Sequence, residues 1–207
     1  MKKWQILLVT ALCCVTSLCF GAEKTPAETP STAAVADTTP CSRKQIAFVV
    51  YDTTGNATST MKAVWKRQVR QAYPRKSYGF MEDPQAATAA GEVLQQYGGI
   101  SYPIEKSVMA KIAEQAKADV VAIVVVRAME EYYVEPLLLD PFDGPETWLR
   151  VVSGADLYIY KQEGDQYKKK KLRKIRTTDV ARAVHPEKEI QYALSDLAMD
   201  MEGKEHI

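Results

Sequence analysis

The densest chemistry in this chain is Lys168-Lys169-Lys170-Lys171 followed by Arg173, Lys174 and Arg176, seven cations within nine residues. A run of that kind can grip a polyanion: envelope phosphates, an acidic protein or an anionic lipid surface. Tyr158, Tyr160 and Tyr167 lie on or beside the same expected hairpin. Cations interleaved with aromatics also suit single-stranded nucleic acid. Successive side chains of a strand point to opposite faces, so the run cannot present every charge to one partner. Either both faces are wet, as at a sheet edge, or a bulge twists the strand. Lysines on an edge also guard it against sheet-to-sheet aggregation.

The other chemical candidates are weaker. Asp140, Asp143 and Glu146 around Gly144 offer hard oxygen ligands of the type calcium takes. Their spacing is not that of the helix-loop-helix calcium motif, and Pro141 and Pro145 restrict how the loop wraps, so a polar surface turn is expected. Nucleophilic catalysis needs a base within reach of Ser, Cys or Thr. The two histidines, His185 before the last expected helix and His206 near the end, have no Gly-x-Ser-x-Gly motif to serve. Thr53-Thr54-Gly55-Asn56 follows the first strand, where a phosphate loop would sit, but has one glycine and no lysine. Glu130 and Glu131 point opposite ways on a strand and form no shared acid–base pair. Asn56-Ala57-Thr58 matches the glycan-acceptor pattern and is read as chance. No catalytic residue, cofactor or metal ligand is assigned, and an enzyme is not expected.

Of the 207 residues, 46% are apolar and 26% charged, with a net charge of +1. That excludes a disordered, collagen-like or polytopic membrane chain, and gives no whole-molecule steering toward nucleic acid. Met1-Lys2-Lys3, an apolar run from Trp4 to Phe20 and Gly21-Ala22 form the three-part layout of an export signal over 1–22. An uncleaved anchor is the alternative. Cys13, Cys14 and Cys19 lie in the run, but none has the flanking residues of a bacterial lipobox. Loss of Lys2 and Lys3 with the leader turns the net charge to −1 and leaves Cys41 as the sole cysteine, so no internal disulfide can form. Residues 23–42, rich in Thr, Pro and Ala without aromatics, read as a flexible spacer. Residues 43–203 are one domain, and 204–207 a frayed tail. The compartment expected is periplasmic or extracellular, with no spanning helix once the signal is cut.

Within the domain, Gln45 to Tyr51 is a β-rich run closed by turn residues. Met61, Val64, Trp65, Val69 and Ala72 give a helical stripe that Pro74 ends. Tyr78 to Met81 is a short strand, and Asp83-Pro84 opens a second helix that Gly98-Gly99 closes. Ile104, Val108, Ile112 and Ala116 mark a third helix. Val120 to Val126 is an uninterrupted apolar run, the mark of a strand covered on both faces. Tyr132-Tyr133 and a Pro/Asp-rich connection over 135–146 follow. Leu149 to Tyr160 alternates as a half-buried strand, Glu163-Gly164-Asp165 is a hairpin turn, and Tyr167 to Thr177 returns. The last helix begins near Pro186. The order β-α-β-α-α-β-β-β-α fits an α/β (α+β) sandwich with a mixed sheet of about five strands and three to four helices.

Tyr51-Asp52-Thr53-Thr54-Gly55-Asn56 after the first strand resembles the amino-terminal-domain fold of TolB. So does the Ala116-Lys117-Ala118-Asp119 passage from helix into strand, within Ile112 to Val126. The pattern is similar also to envelope lipoproteins of the curli-secretion and penicillin-binding-protein-activator type. The resemblance implies an exported envelope domain that binds another envelope protein. The partner expected is such a protein or an anionic envelope polymer or lipid, and not nucleic acid. The candidate contact residues are Tyr132, Tyr133, Tyr158, Tyr160, Lys168, Lys169, Lys170, Lys171 and Arg173. The alternative function is a periplasmic ligand-binding protein or hydrolase whose site is assembled without a local motif.

Overall fold

The structure is a computed structural model that describes residues 43–134 and 147–204. The expected signal, spacer and 135–146 connection, with Cys41, Asp140, Asp143, Glu146 and His206, lie outside the described residues. The chain divides after Pro40, and the Cys41–Ile207 unit carries the elements described. Among the described residues no helix is long and apolar enough to cross a membrane.

Strand β1 (Lys44–Asp52) leads to helix α1 (Ser59–Ala72), whose first turn is capped by the Thr58 side chain accepting from Met61 N at 3.3 Å. The short strand β2 (Tyr78–Phe80) precedes helix α2 (Asp83–Gln96), which has proline in its first turn, where no N–H is needed. Gly98 and Gly99 follow at φ +88° and +74°, a left-handed path that turns the chain toward helix α3 (Lys106–Ala116). Strands β3 (Val120–Val134), β4 (Trp148–Lys161) and β5 (Gln166–Asp179) come next, and helix α4 (Pro186–Met201) closes the domain. The order is the one expected from the sequence.

The five strands form a single mixed sheet ordered β2-β1-β3-β4-β5. β1 runs parallel to β2 and β3, while β3–β4 and β4–β5 are antiparallel. Each face carries its own core. Phe48, Val124, Leu157 and Ile159 pack on Trp65 and Val69 of α1 and on Ile190 and Leu194 of α4. On the other face Val49, Ile123 and Val125 pack on Val93 of α2 and on Met109 and Ile112 of α3. Two-sided burial explains the unbroken Val120–Val126 run, because neither face of that strand meets water.

Three features depart from the expected pattern. β3 extends past Val126 to Val134, beyond the apolar run, because a register shift between Val126 and Ala128 inserts Arg127 as a bulge. Gly154 lies opposite; a Cβ there would sit 3.2 Å from Ala128 Cβ and 3.3 Å from Ala128 N, so the close approach requires glycine. β4 is not half-buried over its second half: Tyr158 and Tyr160 are 3% and 5% exposed, since α3 covers the face that its alternation had assigned to water. Ile104 precedes α3 rather than belonging to it, yet still fills the same core.

Candidate functional site

The basic run forms β5, the last strand of the sheet, and α4 crosses one of its faces. On that face Lys168 Nζ donates to the Asp200 carbonyl at 2.5 Å, and Lys170 Nζ lies 2.9 Å from Asp196 Oδ2. Lys174 Nζ meets Glu189 Oε2 at 2.7 Å and Arg176 Nη1 meets Glu189 Oε1 at 3.4 Å. Between them Leu172 packs on the core. Even-numbered cations thus clasp the acidic side of α4. Glu189 sits beneath them, buried, which two partnering cations make tolerable.

The odd-numbered residues face the other way. Tyr167 donates its hydroxyl to the Ile104 carbonyl at 2.5 Å, tying the start of β5 to the segment before α3. Burial pushes that phenol up to about 12, the neighbouring Tyr158 and Glu105 adding to it. Past Tyr167 the helices no longer cover the sheet: Lys169, Lys171, Arg173 and Ile175 are exposed, Ile175 to 70%. Arg173 reaches Asp156 Oδ1 at 3.1 Å across the strands. The same carboxylate binds the bulge residue Arg127 through Nε at 2.9 Å, and Arg127 also donates to the Ile100 carbonyl. The bulge thereby aims a guanidinium at the junction of sheet and α2–α3 connection. Cross-strand pairing sets Lys171 opposite Asp156, Ile175 opposite Val152, and Thr177 opposite Arg150, which in turn pairs with Tyr132. All of these therefore share one sheet face, with Arg150 Nε donating to Thr177 Oγ1 at 3.1 Å.

The residues expected to bind a partner therefore separate into four groups. Lys169, Lys171, Arg173 and Tyr132 share the open face. Tyr133, one residue on, points to the opposite side. Lys168 and Lys170 are engaged with α4. Tyr158 and Tyr160 are corrected outright: both are core residues, and Tyr160 spends its hydroxyl on Asp165 Oδ1 at 3.1 Å. Sequence reasoning missed Arg127, Asp156 and Glu189. For Glu189 the signal was present, since it lies one turn before Ala193 on the buried stripe of α4, but a carboxylate there reads as solvated.

Two further clusters bring polar and titratable side chains together. The β1–α1 loop closes on Asp52, whose carboxylate accepts from Thr54 N at 2.9 Å, Thr54 Oγ1 at 2.7 Å and Ala57 N at 2.7 Å. Burial alone would raise that carboxyl, but these hydrogen bonds outweigh it and hold the group below its ordinary value. Thr53 Oγ1 and Asn56 Nδ2 bind the Val126 and Met129 carbonyls, so the loop is fastened to β3 on either side of the bulge. It is a structural turn rather than a phosphate cradle. At the start of α4, His185 Nδ1 lies 2.6 Å from Glu131 Oε1, and Glu187 completes a trio whose ligand atoms fall within 4.8 Å. These three could hold a divalent metal. The arrangement also serves as a clasp between β3 and α4. Two surface grooves among the described residues measure about 580 Å³ beside Lys161, Gln166 and Glu202, and about 480 Å³ between β1, α1 and α2. In the first, Lys161 Nζ is already bound to Glu202 at 2.9 Å.

The sequence matches no family model and no curated protein. Among solved structures it is similar to the hypothetical protein CT253 from Chlamydia trachomatis, at 10% identity and a TM-score of 0.40, covering 78% of this chain and 97% of that one. It is similar also to the PelC dodecamer from Paraburkholderia phytofirmans, at 9% identity and a TM-score of 0.39, covering 80% and 91%. Lipoprotein GNA1162 from Neisseria meningitidis gives 11% identity and a TM-score of 0.30, covering 76% and 96%. These are weak likenesses of fold.

Proposed function

We propose that this chain is an exported, non-enzymatic binding module of the bacterial envelope. It holds an envelope protein or anionic envelope component against the open β3–β4–β5 face. The export layout of residues 1–22 supports the compartment, and the TolB-type pattern at Tyr51 to Asn56 and Ala116 to Asp119 supports the class. The observation that carries the binding role is the sorting of the basic run. Lys168, Lys170, Lys174 and Arg176 stabilise α4, whereas Lys169 and Lys171 have no such task and stand with Arg173, Tyr132 and Ile175 on one exposed surface. Cations flanking exposed apolar side chains are what an acidic partner with some apolar contact requires.

The test is capture from envelope extract by the full chain, compared with Lys169→Glu/Lys171→Glu, alongside binding to phosphatidylglycerol vesicles. Charge reversal should reduce retention of a specific partner or of vesicles at least tenfold, and salt should weaken the wild-type interaction. Retention unchanged by both reversal and salt would refute the reading.

A further inference from the structure

We infer that the partner is a protein and that it binds as an added extended strand along β5, with acidic side chains at every second residue meeting Lys169, Lys171 and Arg173. This rests on the binding role proposed above and specifies its occupant.

Four observations lead there. β5 is the outermost strand, 14 residues long, and among the described residues no strand pairs with its outer side. Its main chain therefore offers a ready ladder of donors and acceptors. Three cations recur at alternate residues on a single face, about 6.8 Å apart at ordinary strand rise, Lys169 and Lys171 turned outward and Arg173 also paired with Asp156 at 3.1 Å. A strand laid beside β5 has the same repeat, so carboxylates at its positions i, i+2 and i+4 fall opposite the three cations. Those on the α4 face are already neutralised by Asp196 and Glu189 or bound to a helix carbonyl, so a polyanion wrapping both sides would find charge on only one. Next along the same face, Ile175 is 70% exposed and Val152 beside it is half-buried, which suits an apolar residue following the acidic positions.

A second copy of this chain is disfavoured as the occupant. Pairing two β5 edges would bring the open-face cations Lys169, Lys171 and Arg173 against those of the other copy, and like charges directly opposite destabilise a strand pair. The lysines on the open face thus do two things at once: they repel an identical edge and select an acidic one. A lipid surface would feel the same cations, but it supplies no main chain to complete the ladder.

The experiment uses the full chain as purified from expressing cells and two synthetic ten-residue peptides of equal composition. One alternates Glu with Val and Thr; the other groups the same Glu residues at one end. The alternating peptide should bind at least tenfold more tightly by fluorescence anisotropy and should slow hydrogen exchange of β5 amides. Lys169→Glu/Lys171→Glu should lose that binding tenfold or more while keeping the wild-type circular dichroism spectrum and melting temperature. Lys62→Glu on α1 should leave it unchanged. Equal affinity for the two peptides overturns the strand register. Vesicle binding that the double reversal abolishes, with neither peptide bound, overturns the strand proposal and leaves the open basic face as a lipid site. Failure of peptides, vesicles and extract capture alike removes both readings.

Discussion

The division of the basic run makes its sharpest prediction at Glu189. Its side chain is 8% exposed, whereas Lys174 and Arg176, which pair with it, are 33% and 49% exposed. The three groups therefore respond unequally to removal. Glu189→Gln frees two cations that can turn toward water, so the loss is that of partly screened pairs, about 1–2 kcal/mol. Lys174→Met/Arg176→Met instead strands a carboxylate under α4 without a partner, and leaving a buried charge uncompensated costs about 3 kcal/mol. Adding Glu189→Leu to that pair removes the stranded charge and should restore about 2 kcal/mol, so the triple variant is more stable than the double. Lys169→Met/Lys171→Met, on the open face, should stay within about 0.5 kcal/mol of wild type.

Urea unfolding followed by far-ultraviolet circular dichroism gives each value, with equal slopes required so that midpoint shifts report stability. The four variants share a frame, and the prediction lies in their order as much as in their size. If the open-face pair destabilises as much as the α4-face pair, the alternation assigned to β5 is wrong. If the triple variant is no better than the double, Glu189 is not a buried charge held by these two cations.

Two further outcomes test the positioning of the site. Asp52→Ala removes a carboxylate accepting three hydrogen bonds and should cost about 2 kcal/mol by urea unfolding; because the folded carboxyl titrates below its unfolded value of about 3.9, that stability is fully present above this pH and is lost as pH falls through the lower folded value, so the gap between wild type and variant should narrow below about pH 4. Gly154→Val places carbon against Ala128 across the bulge and should lower stability by about 2 kcal/mol, whereas Gly91→Val in the interior of α2, with open space at its Cβ, should leave stability unchanged or raise it by up to about 0.5 kcal/mol, because valine is a better helix former than glycine.

The fold was legible because its signals are local. The helical stripes, the uninterrupted Val120–Val126 run, Pro74, Pro84, Pro186 and the Gly98-Gly99 pair each act within a few residues, and each marks the element it should. The parts that were not legible are decided across the sheet. Tyr158 and Tyr160 alternate with Leu157 and Ile159 as a wet face would, and a tyrosine suits either surface; only the packing of α3 against β4 settles that they are core. Arg127 gave no sign of a bulge, because the need for one arises from pairing with Gly154, 27 residues later. For the candidate site, alternation predicted that the lysines must split between faces. Which half stays available depends on where α4 lands.

That dependence bears on how a run of seven cations should be read. A continuous basic stretch on a strand is two interleaved sets, and their surroundings need not match. Here the even set faces a helix whose sequence supplies Glu189, Asp196 and Asp200 along one side, so it contributes to folding and little to the outward field. The odd set shares its face with Asp156, which Arg127 also holds, and with Glu130 and Asp179 toward the far end of the strand, so its charge stands out at Lys169 and Lys171. Deleting the whole run would therefore confound two effects: loss of α4 docking would lower stability and abolish binding whatever the partner. Substituting Lys169 and Lys171 alone separates them, because a change in binding without a change in stability can come only from the open face.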